Sequence, residues 1–289
     1  MVKMKYKQIT YSHEHLRLDL SAGKNDPDCF LNGYMDCYDE LKDIREKGVT
    51  RLVDCSNHGM GVDWEIDRKI ENEIGIEVIR STGYYKMPFM PEYVSTATVR
   101  ELSQAMLNDI DAGAQVIGEI GTSLNEWFPN EKKVFKAAVL AQKETNAIII
   151  THTTLGTLIQ EQVDFFLAQG VNPKKVILSH VALSQDLDAI RYSLKHGFNV
   201  AFDTIGKLKY LPEEMRVQYI RTLIEEGYSE QILMSMDITR KSHLKKNGGV
   251  GYAYLIDTFL PLLEQEGVTS EAIEQIVSHN FTKILEAKG

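Results

Sequence analysis

Eight short runs rich in valine, isoleucine and threonine recur along the 289 residues, each followed by a stretch with helical spacing. They fall at about 9–15, 50–56, 76–83, 115–121, 147–153, 175–181, 199–204 and 231–237. Val116-Ile117, Ala147-Ile148-Ile149-Ile150, Val176-Ile177-Leu178 and Ile232-Leu233-Met234 are continuous apolar stretches, as expected of strands buried on both faces of a parallel sheet. Between them, the segment 131–145 places Val134, Ala137, Ala138 and Ala141 on one stripe, with Glu131, Lys132, Lys136 and Lys143 outside it. The segment 184–196 opens on a Ser/Asp cap and stops at Gly197. Eight such units use up the chain, and no linker, low-complexity tract or longer repeat interrupts them. The alternation therefore predicts an α/β protein, a single (β/α)8 TIM barrel domain over residues 1–289. The rival, an open doubly wound sheet, lacks a GxGxxG turn after any strand.

Charge narrows the function. With 32 Lys+Arg against 41 Asp+Glu the net charge is −9, which argues against general binding to nucleic acid or an anionic membrane surface. No stretch approaches the roughly 20 apolar residues of a membrane span. The N-terminal run Met1-Val-Lys-Met-Lys-Tyr-Lys-Gln is basic like a secretory n-region, but no apolar segment follows it. Cys29, Cys37 and Cys55 are odd in number and form no CxxC pair, so free thiols in a reducing cytoplasm are expected.

Side chains at the C-terminal ends of barrel strands converge on one mouth. Read in order, those ends supply His13 and His15, Glu119, His152, His180 and Asp237. His13 and His15 are two apart on one strand and face the same way, so both can reach one ion; Glu14 between them faces the other side and is expected to be structural. A lone buried histidine is usually a hydrogen-bonded core residue. Four imidazoles and two carboxylates at the same strand ends instead point to metal, and they are too many for one tetrahedral ion with an open position. Two divalent ions fit better: His13, His15 and Asp237 on one, His152 and His180 on the other, and Glu119 bridging. Ions about 3.5–4 Å apart can share a hydroxide at neutral pH, with Asp237 taking its proton and passing it to the leaving group. Imidazole and carboxylate suit zinc, manganese, iron and cobalt alike.

Two dications less Glu119, Asp237 and hydroxide leave a centre of about +1 inside an acidic protein. The loops after strands 7 and 8 add Lys207, Lys209, Arg240 and Lys241. Such loops are a frequent phosphate site, so Lys207 and Arg240 are candidate contacts to an anionic small-molecule substrate, against the alternative of solvated loop charges. Tyr84 and Tyr85, ending strand 3, are candidates for the pocket wall or for packing, with Tyr84 taken as a substrate contact. His58 and His243 lie on mouth loops as substrate contacts or scaffolding; His196 suits a helix C-terminus and Asn280 an N-cap. Asp203, ending strand 7, is the expected partner of a ligating histidine. Met87 and Met90 fill gaps, and the loops at 17–35 and after strand 3 carry specificity.

Ser12-His13-Glu14-His15, Gly118-Glu119-Ile120-Gly121-Thr122-Ser123, Thr151-His152-Thr153, Ser179-His180 and Ser235-Met236-Asp237-Ile238-Thr239-Arg240 together resemble the phosphotriesterase family of the amidohydrolase superfamily. The stretch from Asp237 to Tyr252 is similar to the branch called phosphotriesterase homology proteins. The resemblance covers nearly the whole chain and implies a binuclear centre, usually zinc, on the six residues already named. Most members bridge the metals with a carboxylated lysine on strand 4. Here the segment from Ala114 to Ser123 contains no lysine, and Glu119 is its only charged group. A glutamate is shorter, so strand 4 must approach the metals or bulge, and efficient organophosphate hydrolysis is not expected. The reading is a cytoplasmic hydrolase acting through a bridging hydroxide on an ester-type bond, with a lactone, including a phosphorylated sugar lactone, as the leading substrate. The alternatives are a general carboxyl-ester or phosphoester hydrolase and, in another class, a non-catalytic metal- or ligand-binding barrel. A homodimer is compatible with the sequence.

Overall fold

A computed structural model describes residues 5–287. Four residues of the basic N-terminal run, together with Lys288 and Gly289, lie outside the described residues. Eight parallel strands follow one another in sequence order around the barrel: β1 (Ile9–Glu14), β2 (Val49–Asp54), β3 (Glu77–Thr82), β4 (Val116–Thr122), β5 (Ile148–Thr153), β6 (Val176–Ser179), β7 (Asn199–Phe202) and β8 (Ile232–Met234). Helices between them cover the outside, the expected alternation. Alternate strand residues divide between two cores, because successive side chains point to opposite faces. Val53, Ile79, Val116, Ile148, Ile150, Ile177, Ala201 and Leu233 fill the barrel, and Phe281 and Ile284 of the C-terminal helix close its lower end. The opposite faces pack under the helices in the larger cluster. At typical coefficients, burying one such Ile or Leu contributes about 1.5–3 kcal/mol.

The helix Pro129–Thr145 buries Val134, Ala137, Ala138 and Ala141 as the spacing predicts. Glu131 departs from that prediction. Its carboxylate is buried and accepts from the backbone N–H of Met87, Ser123 and Phe128 and from the Ser123 hydroxyl, pinning the loops after β3 and β4 to this helix. Asn280 is also no N-cap. It lies within a continuous helical run, Ser270 to Glu286, and its side-chain amide donates to the carbonyls of Ser229 and Ile232, tying that run to the foot of β8. Asp186, by contrast, caps the helix Leu187–Lys195 as the Ser/Asp signal predicts. The loop after β1 holds an antiparallel ribbon, Arg17–Asp19 with Phe30–Asn32, which strands of three residues are too short to announce by periodicity. Among the described residues no helix is long and apolar enough to cross a membrane.

Candidate metal centre

His13, His15, Glu119, His152, His180 and Asp237 meet at the upper end of the barrel, all buried or nearly so. Strand alternation alone explains His152, which shares the inward face of β5 with Ile148 and Ile150. Glu119 would face outward if counted from Val116. The pairing of β4 with β5 slips between Ile117 and Ile120, and this irregularity turns its carboxylate inward, a bulge of the kind the short Glu119 side chain led us to expect. Gly118 allows it: a Cβ there would lie 2.4 Å from the Ile150 carbonyl oxygen. His180 sits one residue past β6 on the outward parity, and a left-handed backbone (φ 62°) swings it into the barrel. β1 slips against β2 between Tyr11 and Glu14, beside the His13–His15 pair.

Glu119 is the hub. One carboxylate oxygen is 3.4 Å from His15 Nε2; the other is 2.9 Å from His152 Nδ1 and 3.5 Å from both His13 Nε2 and His180 Nε2. Asp237 Oδ1 is 3.3 Å from His15 Nε2 and 3.8 Å from His13 Nε2. Asp203 stands behind two of these histidines, as expected of a residue ending strand 7. Its Oδ1 is 2.8 Å from His180 Nδ1 and accepts the His180 backbone N–H, while its Oδ2 is 3.2 Å from His13 Nδ1. Ser179 and Ser56 hydroxyls meet His13 Nδ1 and His15 Nδ1 at 3.0 and 3.1 Å. These contacts orient the rings from behind and leave the far nitrogens for the centre.

Burial would raise the Glu119 pKa, but the imidazoles of His152 and His13 outweigh it and hold the carboxyl well below its usual range. Asp237 is likewise held down against burial, first by Lys207 and then by His15. Burial opposes charge on His15, yet Asp237 and Glu119 lift it to about 10; burial wins at His152, which drops to about 4. Positive charge thus belongs where these carboxylates converge. His13 Nε2 and His15 Nε2 are buried without a hydrogen-bond partner, a costly state for a ring nitrogen that a cation would relieve. Three sets of ligand atoms lie within 4.8 Å of one another: His13, His15 and Glu119; His13, His180 and Asp203; Glu119, His152 and His180. The donor set therefore fits divalent metal.

A matching family model spans residues 2–285. The chain belongs to the phosphotriesterase family. Phosphotriesterase homology protein from Escherichia coli is 40% identical over 284 residues, covering 96% of this chain and 97% of that protein. Its crystal structure, described as complexed with phosphate in the active site, superposes with a TM-score of 0.94 at 38% identity over 98% of this chain and 100% of the other. A phospho-furanose lactonase from Mycoplasmopsis synoviae is 28% identical over 276 residues, 85% of this chain and 78% of that one. The family and branch expected from the motifs are borne out, and with them a metal-dependent hydrolase acting on ester bonds.

The centre opens into a chamber of about 220 Å³ walled by Leu18, Leu20, Tyr85, Lys86, Lys207 and Tyr210 among others. Lys207, a candidate from sequence, lines it and is ion-paired with Asp237 Oδ2. Arg240 does not line it. Arg240 lies in an adjoining cavity of about 520 Å³ with Lys207 and His243, and its guanidinium is paired with Asp26 at 2.6 Å. Tyr84 is fully buried outside the chamber, against His58 and Tyr93, and Tyr85 takes the wall position with its hydroxyl 3.4 Å from both His152 ring nitrogens. Counting alternation from Ile79 through Ser81 singles out Tyr85 rather than Tyr84. His58 is held by Asp109 at 2.7 Å, away from the chamber. His196 Nδ1 meets the Tyr192 carbonyl at 2.8 Å at its helix end, as predicted. Lys24 and Lys86 also reach the chamber and were missed, since isolated lysines in irregular loops carry no sequence signal.

Proposed function

We propose that this chain hydrolyses the ring ester of an anionic lactone, a phosphorylated sugar lactone being the best fit, as one hydrolase domain. The observation that carries this reading is the pairing of the carboxylate–imidazole centre with three lysines, Lys24, Lys86 and Lys207, around one small chamber in a protein of net charge −9. A chamber so lined attracts an anion that the rest of the surface repels. A phospho-furanose lactonase relative and the phosphate described in the Escherichia coli homologue support the same chemistry.

His13, His15 and Asp237 would hold one ion, His152 and His180 the other, and Glu119 both. Zinc is the metal proposed. Bound there, the pair supplies Lewis-acid polarisation of the reacting oxygen and a nucleophile at neutral pH. The chain's own residues do the rest. Asp203, Ser179 and Ser56 fix the imidazoles before substrate arrives. Asp237, deprotonated and facing the chamber, accepts the proton of the attacking water and returns it to the leaving alkoxide. Lys207 balances the charge that builds beside Asp237 or takes the substrate's anionic group. Leu18, Leu20 and Tyr85 wall the chamber with apolar surface, where such charges act strongly. The buried thiols Cys29, Cys37 and Cys55 support a cytoplasmic setting.

The test is a panel of sugar-acid lactones, each with and without a phosphate, run on the zinc-reconstituted protein and on the Lys207→Ala variant. The proposal expects the phosphorylated members to be preferred and Lys207→Ala to raise their KM selectively. Equal losses on both kinds would reject the anion contact, and turnover confined to acyclic carboxyl esters or phosphoesters would replace the lactone with the alternative hydrolase. Phosphoester hydrolysis is the second reading favoured by an observation, since phosphate is described at the active site of the Escherichia coli homologue.

A further inference from the structure

Seven parallel ladders join β1 through to β8, but among the described residues β1 and β8 share no backbone ladder. Side chains of β1 bridge that seam. The Ser12 hydroxyl donates to the Met234 carbonyl at 3.2 Å. Above it, Glu14 is fully buried, and its Oε1 accepts from the Ser235 hydroxyl at 2.7 Å, Met236 N–H at 2.8 Å and Asp237 N–H at 3.2 Å. Its Oε2 accepts from Ile238 N–H at 3.0 Å. No cation forms an ion pair with Glu14 among the described residues, and these four donors are its hydrogen-bond partners.

Three consecutive backbone N–H groups converge on one carboxylate. An extended strand cannot present them so, because successive N–H groups point to opposite sides. The convergence needs a turn, and the turn is visible: Asp237 has a left-handed φ of 49°. Consecutive amides in such a conformation form an anion-binding concavity. The same conformation brings Asp237 Oδ1 to 3.3 Å from His15 and 3.8 Å from His13. Anion capture by residues 236–238 and the aim of Asp237 are thus one backbone state. Glu14 also separates His13 from His15 in sequence, so one tripeptide supplies two ring nitrogens to the centre and the clamp on the carboxylate that faces them.

We propose that Glu14 is a positioning residue for Asp237: its carboxylate gathers the N–H groups of residues 236–238 across the unladdered β1–β8 seam and so holds Asp237 against His13 and His15. The proposal rests on the reading of Asp237 as a metal ligand. It assigns Glu14 no contact with substrate or metal.

The experiment is a zinc titration by chelator competition on the demetallated full-length protein and on Glu14→Gln, Ser235→Ala, Asp237→Asn and the Glu14→Gln/Asp237→Asn double variant, with far-UV circular dichroism as the check on folding. Glutamine keeps the size but turns an amide donor toward the N–H groups. Glu14→Gln should leave one ion bound within threefold of the parent affinity and weaken the other at least tenfold. The double variant should bind that ion no more than threefold worse than Asp237→Asn alone, because both changes remove one interaction; a merely structural role for Glu14 would give additive losses. Ser235→Ala, which removes a single donor and leaves the Glu14 side chain in place, should weaken the same ion about threefold and decides the matter if Glu14→Gln does not fold. If Asp237→Asn weakens the ion but Glu14→Gln and Ser235→Ala do not, or if losses add, the positioning role is wrong while the metal reading stands. If Asp237→Asn leaves both affinities unchanged, the ligand assignment itself has failed and takes the positioning role with it.

Discussion

Replacing Gly118 with alanine puts one methyl group between β4 and β5, at the step where the chain carries Glu119 into the centre. The added carbon would lie 2.4 Å from the Ile150 carbonyl oxygen, 3.0 Å from Ile150 Cβ and 3.1 Å from its carbonyl carbon. Ordinary van der Waals contact begins near 3.4 Å, so the two strands must part by about 1 Å, and a backbone carbonyl cannot rotate out of the way as a side chain can. Overpacking of this kind costs about 1–3 kcal/mol, or a fall in Tm of roughly 2–10 °C for a chain of this size. The centre should suffer more than the fold. Glu119 is the next residue and now lies 2.9–3.5 Å from four imidazoles, whereas metal–ligand distances tolerate about 0.2 Å. A shift of about 1 Å should therefore lower zinc affinity at least tenfold and turnover on the order of 10²-fold. Scanning calorimetry of the metal-free protein, zinc titration and lactone turnover measure the three effects separately. A Gly118→Ala protein with parental Tm, two zinc ions at parental affinity and undiminished kcat would refute the claim that this glycine exists to let Glu119 through.

Asp203→Asn should weaken both ions, about 10–100-fold in affinity, because Asp203 orients one histidine of each proposed set; a loss confined to one ion would break that link. Dialysis against a chelator should abolish turnover and lower Tm, and two equivalents of zinc should restore both. At free zinc 100 times the Kd, each site adds about 2.7 kcal/mol, and an unchanged Tm would argue against metal. Asp67 supplies a pH test remote from the chamber: burial, then the neighbouring Asp54, push its carboxyl up to about 9, and neither oxygen has a hydrogen-bond partner. Between pH of about 4 and 9 the folded chain then keeps a proton that the unfolded chain has lost, so this group makes stability fall as pH rises. Asp67→Asn should flatten that slope in urea unfolding of the metal-free protein at pH 5 and pH 8, and parallel curves for variant and parent would count against it.

Much of the centre was legible because some of its geometry is strictly local. His13 and His15 are two apart, and His152 continues the parity of Ile148 and Ile150, so the residues alone say which way they face. Glu119 and His180 were legible only as residue types at strand ends. Their parity is wrong, and a register slip and a left-handed residue correct it, neither of which spacing reveals. Tyr84 shows the opposite case, where alternation counted from Ile79 already favoured Tyr85. Glu131 shows where amphipathic reasoning stops, since a carboxylate at a helix start can be buried if four donors await it.

By itself the sequence determined the eight-fold alternation, the residue types at the strand ends and the absence of a lysine on β4. A strand covered on both faces must be apolar throughout, and metal chemistry admits few side chains. Only the tertiary structure decided that Glu14 clamps residues 235–238, that Asp203 serves two histidines and that Arg240 answers Asp26 outside the chamber. Those partners lie 23 to 224 residues apart in the chain, and the side-by-side packing of strands and mouth loops rather than local spacing brings them within hydrogen-bond range.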